Sequence, residues 1–544
     1  MNYFMEVIEE YIASSIPLTK DYINNREKAA ALFDYGTKEK DFLRRYQELS
    51  QRSFDRKALY HHLKKYNQNL YYSIGALDEL NKLKRPETVF VVTGQQAGLL
   101  TGPVYTISKA ITVIKEAKVR EQQLGVPVIP LFWIAGEDHD LDEVNHVYLP
   151  GDQKPVKKTF KSRQLPQASV SDQPISNHDL KHWLKEVFAL LPETEHTMNI
   201  SNTIDMLASR STTLTAFFAE MMRWIFRDSG LVMLDSHHPE LRELEKDVFY
   251  AIIDDNYKVR KELKNGSIAR EQAGYPLLGG IDLECAHFFF HENRQRSLMY
   301  ERPIEKYMDK KGVFTYSKGR LLDAVRTKPS LFSANVLTRP LIQDSIIPVL
   351  SYIGGPGEIN YWSVLKPLFH HFHMKMPPLL GRMEFTFVPR TAEAALQKER
   401  VEIQQIVTEG AASPLAKARR RGIQSDGNEL AAAAINALRP HHQKLSEALR
   451  GTAPGEESFS ENHWKRMVYE LERFGNRINK HQENKNLASI KRIEKAAQFL
   501  RPFGQPQERI YCIIVFLNLY GSHFAAELLS QDITANNRHK TIIL

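Results

Sequence analysis

Glu87–Lys109 reads ETVFVVTGQQAGLLTGPVYTISK, and the order of its parts decides the fold. Val89 to Val92 is a short apolar, β-branched run, the composition of a strand buried on both faces. The chain then breaks at Gly94 and passes through Gln95, Gln96, Gly98, Thr101, Gly102 and Pro103. From Val104 apolar residues recur at helical spacing. Ile107, Ala110, Ile111 and Ile114 share one face, and Pro103 stands where a first helical turn accepts proline. Strand, glycine-rich loop and helix in this order aim backbone N–H groups at a carboxylate or phosphate. The glycines let a ligand approach the backbone, and Gln95, Gln96, Thr101 and Lys109 offer side-chain contacts. The spacing is neither GxGxxG nor GxxxxGK[ST], so a dinucleotide or Walker-type site is not supported. A tight βα turn without a ligand is the alternative.

Outward from this stretch, composition sets the bounds. The 544 residues suffice for several domains, and 42% hydrophobic with 25% charged content is ordinary for a globular protein. No apolar run reaches the length of a membrane span. The N-terminal MNYFMEVIEEYIASS carries an early Glu and no basic region before a long apolar core, so no signal peptide is expected. Cys285 and Cys512 are the only cysteines and form no CxxC, which argues against a disulfide framework or a thiolate zinc site. A cytoplasmic enzyme fits best. The net charge of +8 favours anionic small ligands or weak nucleic-acid contact without choosing between them.

Residues 1 to about 85 read as helical, with Leu70, Ile74, Leu77 and Leu80 as one stripe. Val126 to Ala135 reads as a second central strand. It ends in Gly136-Glu137-Asp138-His139-Asp140-Leu141-Asp142-Glu143, a crowd of acids and one imidazole. Ligands bind beyond the carboxyl ends of strands in open α/β sheets, and this cluster and the glycine-rich loop both stand there. Carboxylates can hold an ammonium group or Mg²⁺, and His139 can take a proton from an attacking amine. An acidic first turn that caps the next helix is the plainer reading.

Lys154, Lys157, Lys158, Lys161 and Arg163 make a basic, strand-like segment, read as a solvated face of an insertion. Leu231 to Leu234 is a third strand, ending in Asp235-Ser236-His237-His238-Pro239 before a helix expected over Glu240 to Val259. The paired histidines lack a third metal ligand at a recognisable spacing, so one of them reads as a cap. Cys285 to His291 and Ser297 to Tyr300 form a hairpin about Glu292-Asn293. Cys285 in this apolar strand reads as a buried, inert thiol.

Ile346 to Ile353 is a fourth strand, broken at Gly354-Gly355-Pro356-Gly357-Glu358 and followed by a helix over Ile359 to Phe372. This repeats the opening unit, and two such loops can face each other across a cleft. Pro377 to Val388 reads as a last strand. Arg382 interrupts it, and that charge must meet an acid in the core or a ligand carboxylate. Beyond Arg390 the chain turns helical. Ile435, Leu438, His442, Leu445 and Leu449, and then Trp464, Met467, Leu471, Phe474 and Ile478, recur at coiled-coil spacing about a turn at Gly451, Pro454 and Gly455. The basic run Lys417, Arg419, Arg420 and Arg421 reads as a solvated face, and the loop carrying Arg509 can border a ligand.

Thr93-Gly94-Gln95-Gln96-Ala97-Gly98-Leu99-Leu100-Thr101-Gly102-Pro103, Trp133-Ile134-Ala135-Gly136-Glu137-Asp138-His139-Asp140 and Gly354-Gly355-Pro356-Gly357-Glu358 together resemble the bacillithiol biosynthesis cysteine-adding enzymes, the cysteine ligase BshC family. The resemblance spans essentially the whole chain. It implies an α/β fold with a Rossmann-like parallel-sheet core akin to class I synthetases and nucleotidyltransferases. It implies two insertions and a C-terminal α-helical coiled-coil domain that pairs two subunits. The core then takes residues 1–150, 229–264 and 336–390, the insertions 151–228 and 265–335, the coiled-coil domain 391–500, and a segment docking on the core 501–544. The implied reaction adds cysteine to the glucosamine amine of glucosaminyl-malate. ATP or ADP with Mg²⁺ is the implied nucleotide, as co-substrate or as bound ligand, and no structural metal is expected. Where class I synthetases carry His-x-Gly-His, this chain has Gly102-Pro103-Val104-Tyr105, and no Lys-Met-Ser-Lys-Ser run follows. Those elements hold ATP in adenylate formation.

On this reading Glu137, Asp138, His139 and Asp140 orient the amine, with His139 as general base. Gly94, Gln95, Gln96, Thr101, Gly102, Tyr105, Gly354, Gly355, Gly357 and Glu358 bracket the substrate, and Lys109 and Arg382 meet its carboxylates. The partners are small molecules and a second subunit, with neither membrane nor nucleic acid. A synthetase-related RNA- or tRNA-binding protein without ligase activity is the alternative.

Overall fold

A computed structural model describes residues 5–161, 165, 167–421, 426–453 and 455–544. The strands Val89–Gln95, Val128–Ile134, Val232–Asp235 and Val349–Gly354 join Leu379–Gly381 in one parallel sheet. In space the order is Leu379–Gly381, Val349–Gly354, Val89–Gln95, Val128–Ile134, Val232–Asp235. Numbered along the chain, that is the doubly wound order, and it reverses between Val89–Gln95 and Val349–Gly354. The alternation of a strand explains why these runs are apolar throughout. Val89, Val91, Phe132 and Ile134 enter one core with the helix Tyr105–Leu124, whereas Phe90, Val92, Leu131 and Trp133 enter the other with Leu59, Leu63 and Leu241.

The N-terminal region is not wholly helical as expected. Glu6–Glu10 is a strand, antiparallel to a C-terminal strand, His539–Ile543, which itself runs parallel to Glu384–Val388. The strand expected over Pro377–Val388 is therefore two. Leu379–Gly381 closes the edge of the main sheet, and Glu384–Val388 belongs to this separate sheet of three. The break falls at Arg382, whose buried guanidinium turns to Glu508 at 2.6 Å. Short strands at chain ends carry too few alternating residues to be read alone.

Two expected helices are each divided. Pro239–Asp254 stops at Asp255, and Asn256–Gln272 continues across the boundary drawn at residue 264. Pro356–Trp362 and Lys366–His371 replace the helix over Ile359–Phe372, with Pro367 in the first turn of the second. The fourth strand starts at Val349 rather than Ile346, because Arg339–Ile346 is helical.

In the first insertion Val156–Thr159 pairs with His146–Leu149, and three helices follow. Arg163 of the basic run lies outside the described residues, and Lys158 pairs with Glu186 at 2.7 Å. The second insertion is a five-stranded antiparallel sheet. Its hairpin turns at Asn293 and Arg294, with φ of 51° and 64°. Those are the two left-handed residues a tight I′ turn requires.

Helices Gly427–Thr452 and Glu457–Leu500 fold back on each other antiparallel, with His442 beside His463 and Gly427 beside Gly475. A Cβ on Gly427 would come within 2.2 Å of the Gly475 carbonyl, so the two glycines set how closely the helices approach. Pro454 of the expected turn lies outside the described residues. Among the described residues no helix is long and apolar enough to cross a membrane.

Candidate active site

The chain order of the sheet reverses between the two glycine-rich loops, and a cavity of about 490 Å³ opens there. Gly94, Gln95, Gln96, Glu137, Asp138, His139 and Glu358 line it on the core side. Phe289, Arg296 and Asn335 close it from the second insertion, Arg339 from the helix that follows and Tyr361 from the helix Pro356–Trp362. The sequence reading had assigned none of these five a role in the site.

Asp138 is held on three sides. Gln96 Nε2 donates to its Oδ2 at 2.6 Å, the His139 N–H donates to Oδ1 at 2.7 Å, and Arg296 Nη1 lies 3.5 Å from Oδ1. Burial would raise its pKa, but Arg296 and these hydrogen bonds outweigh it and keep the carboxylate below its ordinary range. Arg296 Nη1 also donates to His139 Nδ1 at 3.1 Å. A guanidinium can only donate, so Nδ1 carries the lone pair and Nε2 the proton. Burial first, then the Arg296 charge, lowers the His139 pKa and keeps the ring neutral near pH 7. The rest of Arg296 is fixed by Ser333 Oγ at 3.1 Å, the Ala334 carbonyl at 2.9 Å and the face of Phe289.

Arg339 is the second cation of the wall. Its Nη2 donates to Tyr361 Oη at 2.9 Å and its guanidinium lies over the Tyr352 ring. Burial opposes its charge, but the surrounding tyrosines and Glu358 hold it protonated. Neither partner is a carboxylate, so the wall presents positive charge to a ligand.

The other expected site residues are engaged with the protein itself, including Glu137 and Glu358 in the cavity lining. Lys109 gives its three protons to the Gly94 carbonyl at 2.7 Å, Gln95 Oε1 at 3.0 Å and Glu358. It therefore ties the two loops together and has no donor left for a substrate carboxylate. Glu358 in turn accepts from Tyr352 Oη at 2.7 Å and the Gly355 N–H at 2.9 Å. Glu137 is buried against Arg242, which also holds Glu245. Asp140 accepts the Asp142 N–H at 3.1 Å and caps the short helix Leu141–Val144, the plainer role.

Thr101 and Gly102 are buried away from the cavity, and Tyr105 faces the Arg382 guanidinium at 5.6 Å. The Val104 N–H, at the start of the first helix, is spent on the Tyr511 carbonyl at 2.9 Å. The C-terminal segment thus covers the end expected to receive an anion. Gly354, Gly357 and Arg382 border a second cavity of about 590 Å³, with Lys20, Arg501, Arg509 and Arg538 on its rim. Arg382 meets the acid Glu508 and not a ligand.

Arg296 sits at an inward register of a strand, opposite His291. A charge at such a position is costly unless partnered, the argument that singled out Arg382. It applies equally here, but the partner comes from a loop more than a hundred residues earlier.

A parallel sheet in doubly wound order, two insertions and an antiparallel helical arm define a Rossmann-like protein with a coiled-coil domain. Residues 5–383 match the family described as "Bacillithiol biosynthesis BshC, N-terminal Rossmann-like domain", and residues 385–544 match "Bacillithiol biosynthesis BshC, C-terminal coiled-coil domain". The chain is 33% identical to a Bacillus cereus protein named "Putative cysteine ligase BshC" over 99% of its own length and 100% of the relative's. It is 32% identical to proteins of the same name from Bacillus anthracis, over 99% and 100%, and Bacillus cytotoxicus, over 97% and 99%. The chain belongs to the BshC family of bacillithiol biosynthesis. The ligase class expected from the resemblance agrees with the names of these relatives.

Proposed function

We propose that this chain joins cysteine to the glucosamine amine of glucosaminyl-malate in the cavity between the two loops. The carrying observation is the pair of guanidiniums lining the cavity, Arg296 buried and Arg339 half-buried, together with Asp138 and His139. Two cations suit the malate carboxylates, and the acid and imidazole suit the amine. The amine attacks the cysteine carboxyl carbon, which must arrive activated because a free carboxylate is a poor electrophile. The new C–N bond forms as the activating group leaves, and one amine proton passes to a base. His139 takes it at Nδ1 once a substrate carboxylate draws Arg296 away, so binding and base release are coupled.

The second cavity fits the triphosphate of ATP or the diphosphate of ADP better than the first, since Lys20, Arg509 and Arg538 expose their cations there. When bound, Mg²⁺-nucleotide would supply the activating group. A second copy of the chain covers the arm, where Leu445, Phe459, Tyr469 and Phe474 are exposed. We place the reaction in the cytoplasm, where the buried thiols Cys285 and Cys512 stay reduced.

The test is mass spectrometry of purified chain with cysteine and glucosaminyl-malate, with and without Mg²⁺-ATP. A cysteinyl product together with AMP or ADP is expected. Absence of that product under both conditions, with salt-dependent tRNA binding instead, would overturn the reading.

A further inference from the structure

His238 and Glu240 stand two residues apart just beyond the strand Val232–Asp235. The fold brings a third ligand from far away. His62, on the helix Arg56–Gln68, packs its ring 4.9 Å from that of His238. Glu240, in the first turn of Pro239–Asp254, brings Oε2 to 3.8 Å from His62 Nδ1. One donor atom from each of the three residues lies within 4.8 Å of the others.

A second observation points to a ligand. His62 is only 4% exposed, and neither of its ring nitrogens has a hydrogen-bond partner. A buried imidazole left unpaired is costly, which points to a missing partner. Burial holds both imidazoles neutral, the form that binds metal.

We propose that His62, His238 and Glu240 bind one divalent transition-metal ion, zinc being the natural probe, which clips the N-terminal helix Arg56–Gln68 to the core. Two imidazoles and one carboxylate suit zinc, whose bonds of about 2.0–2.2 Å leave a fourth position for water. The approach needed is small, and Glu240 supplies it because its side chain is 45% exposed and free to move. Lys65 holds the other oxygen, Oε1, from a side chain that is itself 55% exposed, so it can swing out as the metal charge enters. His238 Nδ1 accepts the Glu240 N–H at 3.3 Å, a long bond that fixes the two ligands beside each other. The sequence places the ligands at 62, 238 and 240, a spacing that no short motif would show.

The experiment uses the full chain, stripped with chelator and titrated with Zn²⁺ against a chromophoric competitor, with thermal unfolding measured in parallel. One zinc per chain and a raised Tm are expected. Glu240→Gln, at an exposed site that leaves folding intact, and His62→Gln should each weaken binding at least tenfold and remove the rise in Tm. His463→Gln, which breaks the exposed His442–His463 pair on the arm, should change neither. No saturable binding, or binding that survives Glu240→Gln and His62→Gln but falls in His463→Gln, would overturn the proposal.

Discussion

The loops Gly94–Gly98 and Gly354–Glu358 follow neighbouring strands of one sheet and look alike in sequence, yet they do opposite work. The first opens Gln95 and Gln96 into the cavity, while the helix beyond it begins under the C-terminal segment. The second folds Glu358 back on its own helix start and onto Lys109. The first loop therefore lends side chains to the cavity lining, and the second serves as a brace. What separates them is what each helix start finds, the Tyr511 carbonyl of the C-terminal segment in one case and the helix's own Glu358 in the other.

Breaking the brace should have the largest effect. Lys109→Met leaves the half-buried Glu358 carboxylate without its cation and should lower stability by about 3 kcal/mol in urea unfolding. Lys109→Met with Glu358→Met should recover most of that loss, since two apolar side chains carry no desolvation penalty. A single variant as stable as wild type would mean that the loops do not depend on each other.

Effects on chemistry come next and fall on the open side. His139→Ala should reduce kcat/KM by about 10²–10⁴ with folding unchanged. The pH profile sharpens this. A base must be unprotonated, and the His139 pKa is lowered, so the acid limb of kcat/KM should lie below the ordinary imidazole value of about 6.5. Arg296→Met removes one cause of that lowering and should move the limb upward. Arg339→Met should cost roughly 100-fold in kcat/KM through lost carboxylate binding. Asp140→Ala should show the smallest change, about 1 kcal/mol of stability from a lost helix cap and no change in rate.

The sheet was legible because strands buried on both faces leave continuous apolar runs, and four of its five strands stand out in the sequence. The fifth, Leu379–Gly381, merged with its neighbour, since only the burial of Arg382 against Glu508 marks where the chain leaves the sheet. The small sheet built on Glu6–Glu10 and His539–Ile543 was illegible because its strands are short and their pairing spans the whole chain. Gln95, Gln96, Asp138 and His139, singled out from their place at strand ends, do line the cavity. Arg296 and Arg339 were missed because they come from a hairpin and a helix start whose approach to the cavity depends on how the second insertion packs. Lys109 was misread for the complementary reason. A lone lysine beside a glycine-rich loop looks free until Glu358 arrives from 249 residues later.

The most direct measurement is calorimetric binding of glucosaminyl-malate to the wild-type chain, to Arg339→Met and to Asp140→Ala, without nucleotide. One site per chain is expected, at least tenfold weaker in Arg339→Met and unchanged in Asp140→Ala. Equal affinity in all three would place the substrate outside the cavity between the two loops and contradict its assignment as the active site.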